Sequence, residues 1–213
     1  MTCLAIRLQG QLKVPVGIIV RAISSSPSGA WLERSAIDKN KNIQAQINAY
    51  KRTYTVKYRE YEAAMSEWKQ KKRGRKPRAP VRPGYEMQSW FKTDIDSRGK
   101  HYKNYIQPII PYAIRGFIWD QGESGTGIAS VRQGTITSNI VYNWRQHWGD
   151  DKLPFYYFNK KQYSANFKKT MAQVKNCSVI TTKELRQELH PADKDAYAQR
   201  AFEIIMKKSS NNK

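Results

Sequence analysis

Gly116-Phe117-Ile118-Trp119-Asp120-Gln121-Gly122-Glu123-Ser124-Gly125-Thr126-Gly127 joins a short apolar run to a glycine-rich polar turn. An uncharged run of three large residues that stops at small and polar ones predicts a buried strand feeding a turn. Downstream, 139–148 is amphipathic with helical spacing, and Leu153-Pro154-Phe155-Tyr156-Tyr157-Phe158 has the composition of the next buried strand. Val179-Ile180-Thr181-Thr182 predicts another strand, and 194–207 the last helix. Strands alternating with helices at this spacing predict an α/β fold, a parallel sheet with helices on both faces.

Upstream, residues 4–13 have the pattern of a helix tail. Val14-Pro15-Val16-Gly17-Ile18-Ile19-Val20 is β-branched and short, and predicts a buried strand. The turn Ser24-Ser25-Ser26-Pro27-Ser28-Gly29 follows, and Ala30-Trp31-Leu32 opens a new element. From 40 to 68, Ile43, Ile47, Tyr50, Tyr54, Tyr58, Tyr61, Met65 and Trp68 recur at steps of three or four. That spacing predicts one long helix docking a single stripe on the domain. Gly74, Pro77, Pro80, Pro83 and Gly84 then break the pattern into a stiff linker. Residues 40–85 therefore have the character of an insertion, and 1–39 with 86–213 form the α/β domain. The core resumes near Trp90, with a helix over 102–110 ending near Pro111.

The 213 residues suffice for one domain with a sizeable core. No apolar run approaches the ~20 residues of a membrane-spanning helix. Cys3 and Cys177 have no neighbouring His or Cys, which gives neither a disulfide framework nor a metal site; both are expected as free thiols. Met1-Thr2-Cys3-Leu4 shows no secretory pattern. A genuine start there would imply the cytoplasm, and an upstream segment would permit secretion, so the compartment stays open. The net charge of +21 invites a nucleic-acid reading. Much of it is local: Lys69, Lys71, Lys72, Arg73, Arg75, Lys76, Arg78 and Arg82 share one stretch without an acidic residue. Such a run is ordinarily a solvated loop; nucleic-acid binding through 69–82 is the alternative.

In an open parallel sheet, sites form at the carboxyl ends of strands. Polar turns occur there at 24–28, at 121–126 and before His190. Together they suit acyl-ester chemistry, which needs a nucleophile, a histidine base with an orienting acid, and donors aimed at an oxyanion.

Five blocks in order carry a family resemblance. Val14 to Ile19 with Ala30-Trp31, then Ile109-Ile110-Pro111-Tyr112-Ala113-Ile114-Arg115-Gly116, Trp119-Asp120-Gln121-Gly122-Glu123-Ser124, Leu153-Pro154-Phe155, and Leu189-His190-Pro191 with Asp193-Lys194 resemble the sialate O-acetylesterase family of SGNH hydrolases. The resemblance covers most of 4–205 apart from the basic insertion. It implies a three-layer, flavodoxin-like α/β/α sheet and a cofactor-free, metal-free esterase that removes acetyl groups from sugar hydroxyls. His190 matches the general base and Gln121 the side-chain oxyanion donor. Ser24 or Ser25 stands where the family has a Gly-Gly pair that offers a backbone N–H. Many such enzymes place an Asp three residues before the histidine; here Gln187 holds that position, and Glu188 or Glu184 is the candidate orienting acid, a backbone carbonyl the alternative.

The family's serine lies in a Gly-Gln-Ser-Asn-Met block ahead of the Val-Pro-Val-Gly run, and nothing in 1–12 matches it. A sheet without that strand would expose a new edge. The expectation is therefore a fragment or a late start, inactive alone. Gly122-Glu123-Ser124-Gly125-Thr126 imitates a nucleophile elbow but lacks the final glycine, so Ser124 is expected to hydrogen-bond within its turn. Glu123, His101 and His147 are expected to be structural, and Trp31 and Trp119 to lie in the core. Beside the esterase stands a second alternative, a non-catalytic remnant that binds a glycan or a partner through the same cleft.

Overall fold

The computed structural model describes residues 2–70, 77–81, 97–121, 124–128, 131–159, 163–183, 185 and 193–210. It is a mixed α/β structure around a small parallel sheet. Helix α1 (Thr2–Leu12) is followed by an extended segment, a 3-10 turn (Ser28–Ala30), α2 (Arg34–Lys39) and the long α3 (Lys41–Gln70). A π-helical turn (Tyr102–Ile106) and a 3-10 turn (Gln107–Ile109) lead to β1 (Phe117–Trp119). Then come α4 (Gln133–Trp148), β2 (Phe155–Phe158), α5 (Ala165–Ala172), β3 (Cys177–Ile180) and α6 (Lys194–Ser210).

The sheet order is β1-β2-β3, all parallel, with Phe117 opposite Phe155 and Phe155 opposite Cys177. Side chains alternate across a strand, and the packing obeys this. Trp119, Phe155 and Tyr157 join Ile136, Ile140 and Trp144 of α4 and Phe167 and Met171 of α5. Tyr156, Phe158 and Ile180 turn the other way, onto Leu4 and Leu8 of α1 and Tyr197, Ala198 and Ala201 of α6. Both faces of the sheet are covered, which is why β2 is buried at every position and lacks an alternating pattern.

Local chemistry sets the helix ends. Gly149 takes a left-handed conformation (φ 68°) after α4 and donates back to Arg145 and Gln146 carbonyls. The Ser164 hydroxyl accepts from Phe167 N–H and caps α5, a short helix that the sequence reading did not identify. Arg145 is buried, and its guanidinium donates to the Leu153, Lys175 and Asn176 carbonyls at 2.8, 2.8 and 3.0 Å. It thereby pins α4 to the chain entering β2 and β3.

Two expectations need correction. Residues 14–20 are not a buried strand. They run extended, Val14, Ile19 and Val20 are exposed, and only Val16 and Ile18 pack against the core. Among the described residues, no backbone hydrogen bond joins 14–23 to a neighbouring strand. β-branched composition supplies the tendency to extend; a strand also needs backbone pairing, and 14–20 makes none among the described residues. In α3 only Ile43 and Ile47 are buried. From Tyr54 onward the aromatic stripe is half-buried, with Tyr54 on Tyr58 and Tyr58 on Tyr61 at ring separations of 5.7 and 5.9 Å. The stripe thus docks over its first two turns and then packs ring on ring. The basic linker's residues 71–76 and 82–85, and Trp90, lie outside the described residues. Among the described residues, no helix is long and apolar enough to cross a membrane.

Candidate functional site

β1 ends at Trp119 and the chain turns at Gln121, which is buried. Its side-chain amide joins three segments. Nε2 donates to the Ser26 carbonyl at 3.3 Å and to the Gly125 carbonyl at 3.1 Å. Oε1 accepts from Gln133 Nε2 at 2.9 Å, in the first turn of α4. Gln133 Oε1 accepts in turn from Ser28 Oγ at 3.1 Å, and the Tyr163 hydroxyl closes on the Gln121 carbonyl.

The backbone completes the junction. Ser28 N–H donates to Gly125 O at 3.0 Å and Gly29 N–H to Thr126 O at 2.9 Å. Trp31 Nε1 donates to Ser26 Oγ at 2.9 Å. The turn 24–29 and the residues Gln121 and 124–128 therefore dock against each other at the carboxyl end of β1. Gly29 permits the approach: a Cβ there would stand 2.6 Å from Thr126 O and 2.9 Å from Ile128 Cδ1.

Among the residues singled out from sequence, Gln121 reaches the serine turn, and it does so through Ser26. Ser24 and Ser25 are exposed, and their backbone N–H groups make no hydrogen bond among the described residues. Ser25 holds φ 57°, the left-handed conformation for which glycine is preferred. Both hydrogens of Gln121 Nε2 are engaged by carbonyls, so an acyl oxygen would have to displace one of them. Trp31 and Trp119 are core residues in a T-shaped pair with centroids 6.3 Å apart. Ser124 is exposed, and its side chain makes no hydrogen bond among the described residues, contrary to the expected turn contact. An exposed hydroxyl is satisfied by water and needs no internal acceptor. His190, Glu188, Gln187, Glu184 and Glu123 lie outside the described residues.

His147, expected from the sequence to be structural, has an acidic partner. His147 Nε2 stands 2.8 Å from Glu33 Oε2, which also accepts from Asn143 Nδ2 at 3.0 Å. Burial alone would raise the Glu33 pKa; hydrogen bonds from Ser35, His147 and Asn143 outweigh it and hold the carboxyl at about 2. The partners are 114 residues apart, so no local motif could have announced the pair. His101 packs on Trp31 with centroids 5.0 Å apart, and burial followed by repulsion from Lys100 lowers its pKa.

The structure is similar to that of a carbohydrate acetylesterase from Xanthomonas citri, with a TM-score of 0.56 and 19% identity over 94% of this chain. The chain spans 38% of that protein's length. At this identity the likeness is one of fold: the chain has an esterase-like α/β fold. No family model matches the sequence, and no curated protein matches it.

Proposed function

We propose that this chain is part of a carbohydrate esterase of the sialate O-acetylesterase type, with the three-layer SGNH arrangement and residues 40–85 as an insertion. One observation carries the reading. The chain shares its fold, over nearly its whole length, with a carbohydrate acetylesterase, and two polar turns meet at the carboxyl end of its sheet. The N–H groups of Ser24 and Ser25, without a partner among the described residues, suit an acyl oxygen, and Gln121 would hold the turn that presents them. In the full reaction a serine oxygen would attack the acetyl carbonyl, and His190, oriented by Glu188, would take its proton and return it to the departing sugar alcohol. The family's serine block does not occur in the 213 residues, so the nucleophile would come from polypeptide outside them. The chain alone would bind an O-acetylated sugar without turning it over.

Saturation-transfer NMR with an O-acetylated methyl glycoside and its deacetylated parent tests the reading. The acetyl methyl protons should receive saturation, and the parent should bind more weakly. Equal binding of both compounds would favour the alternative of a non-catalytic glycan binder. That alternative has its own support in the Gln121 amide, whose donors are spent within the protein.

A further inference from the structure

A cleft of about 440 Å³ opens between α2 and the last turn of α4, lined by Glu33, Ser35, Ala36, Lys39, Asn143, Gln146 and His147. It is separate from the Gln121 junction. Gln133 and His147 lie at opposite ends of α4, about 20 Å apart at 1.5 Å per residue. The volume falls within the range of small-molecule sites.

The groups lining the cleft limit what it can take. Glu33 already receives hydrogen bonds from Ser35, His147 and Asn143, so its charge is compensated inside the protein. His147 Nε2 is taken up by that carboxylate, and its Nδ1 has no hydrogen-bond partner among the described residues. Asn143 is 8% exposed, its Nδ2 is committed to Glu33, and its Oδ1 has no hydrogen-bond partner among the described residues. A buried acceptor left unsatisfied costs about 1–3 kcal/mol, which a ligand's donor would recover. Lys39, exposed at the rim, adds an ammonium donor. The cleft is therefore lined by an unsatisfied amide oxygen, an imidazole nitrogen without a partner among the described residues, the Gln146 amide and a cationic donor. An ammonium ligand would meet the charge of Lys39, and a carboxylate would meet Glu33 and the Asn143 amide oxygen. A hydroxyl group both donates and accepts, and several on one small frame match the set.

We propose that this cleft binds a small polyhydroxylated ligand, a single sugar unit, at a site distinct from the Gln121 junction. The class of ligand follows from the cleft's own groups and does not rest on the esterase reading.

The test is a titration of the full chain with methyl glycosides of glucose, galactose and N-acetylglucosamine, with methylammonium and acetate as controls. The His147 ring and the Asn143 side-chain amide are followed by NMR, and the Gln121 amide reports separately on the other site. The glycosides should shift the His147 and Asn143 signals in a saturable way and the controls should not. His147→Gln keeps a donor for Glu33 and removes the second ring nitrogen; it should weaken binding about tenfold. Lys39→Met, at an exposed position, should weaken it severalfold with an unchanged melting temperature. The proposal is overturned if no glycoside shifts these signals, if both variants bind as the parent does, or if methylammonium or acetate binds in place of the glycosides.

Discussion

Replacing Gly29 with alanine tests the docking of the two turns on which the site depends. The added Cβ would lie 2.6 Å from Thr126 O and 2.9 Å from Ile128 Cδ1, distances that carbon atoms do not tolerate. Gly29 is buried, and both contacts belong to the packed turn, so one turn must move away from the other. Overpacking of this kind costs about 1–3 kcal/mol. The movement also stretches Gly29 N–H to Thr126 O and Ser28 N–H to Gly125 O, at 2.9 and 3.0 Å, each worth roughly 1 kcal/mol net. The expected loss is about 2–4 kcal/mol, allowing for partial relaxation. For a chain of this size it lowers the melting temperature by roughly 5–15 °C. Circular dichroism melts read the change directly. Gly10→Ala is the control, because nothing lies within 4 Å of its added Cβ and it sits inside α1; that variant should gain about 0.5–1 kcal/mol. A Gly29→Ala protein within about 0.5 kcal/mol of the parent would refute the packing argument.

Glu33 predicts an acid-sensitive increment of stability. Its folded pKa of about 2 lies below the usual 4.5, so the stabilisation is complete above pH 4.5 and disappears as the pH falls towards 2. The increment is about 2 kcal/mol after discounting for partial exposure; urea melts of Glu33→Gln should show a correspondingly shallower loss over that window. Ser25→Gly relieves a left-handed serine and should stabilise by roughly 0.5–1 kcal/mol in the same assay; a loss would show that the φ 57° geometry is not held in solution. Burial raises the Cys177 thiol to about 12, whereas Cys3 is exposed. Iodoacetamide at pH 8 should therefore modify Cys3 alone, as peptide mass spectrometry would show, and equal labelling would contradict the burial of Cys177.

How legible the fold was in the sequence varied with the kind of signal. β1 and β2 were readable because a strand buried on both faces is a continuous apolar run, and Gly116 and Pro154 punctuate their starts. α3 was readable from its spacing, but spacing does not say how far a stripe stays docked, and only Ile43 and Ile47 are buried. Residues 14–20 have strand composition without a strand, because pairing depends on a neighbour that composition cannot report. At the site, Gln121 was singled out by the family resemblance of its block. Its partners Ser26, Gln133 and Tyr163 come from three other segments, brought together by the topology. The Glu33–His147 pair was invisible for the same reason.

The central proposal is that the turn 24–29, with Gln121 and 124–128, would form the acyl-binding half of an ester site whose nucleophile would come from outside these residues. One sample tests it most directly. The purified chain is mixed with an O-acetylated methyl glycoside while the backbone amide signals of Ser24 and Ser25 and the free acetate signal are followed together. The account predicts saturable shifts at Ser24 and Ser25 and no acetate above the spontaneous rate. Acetate release that Ser124→Ala abolishes, or a titration that leaves both serine amides unmoved, would contradict it.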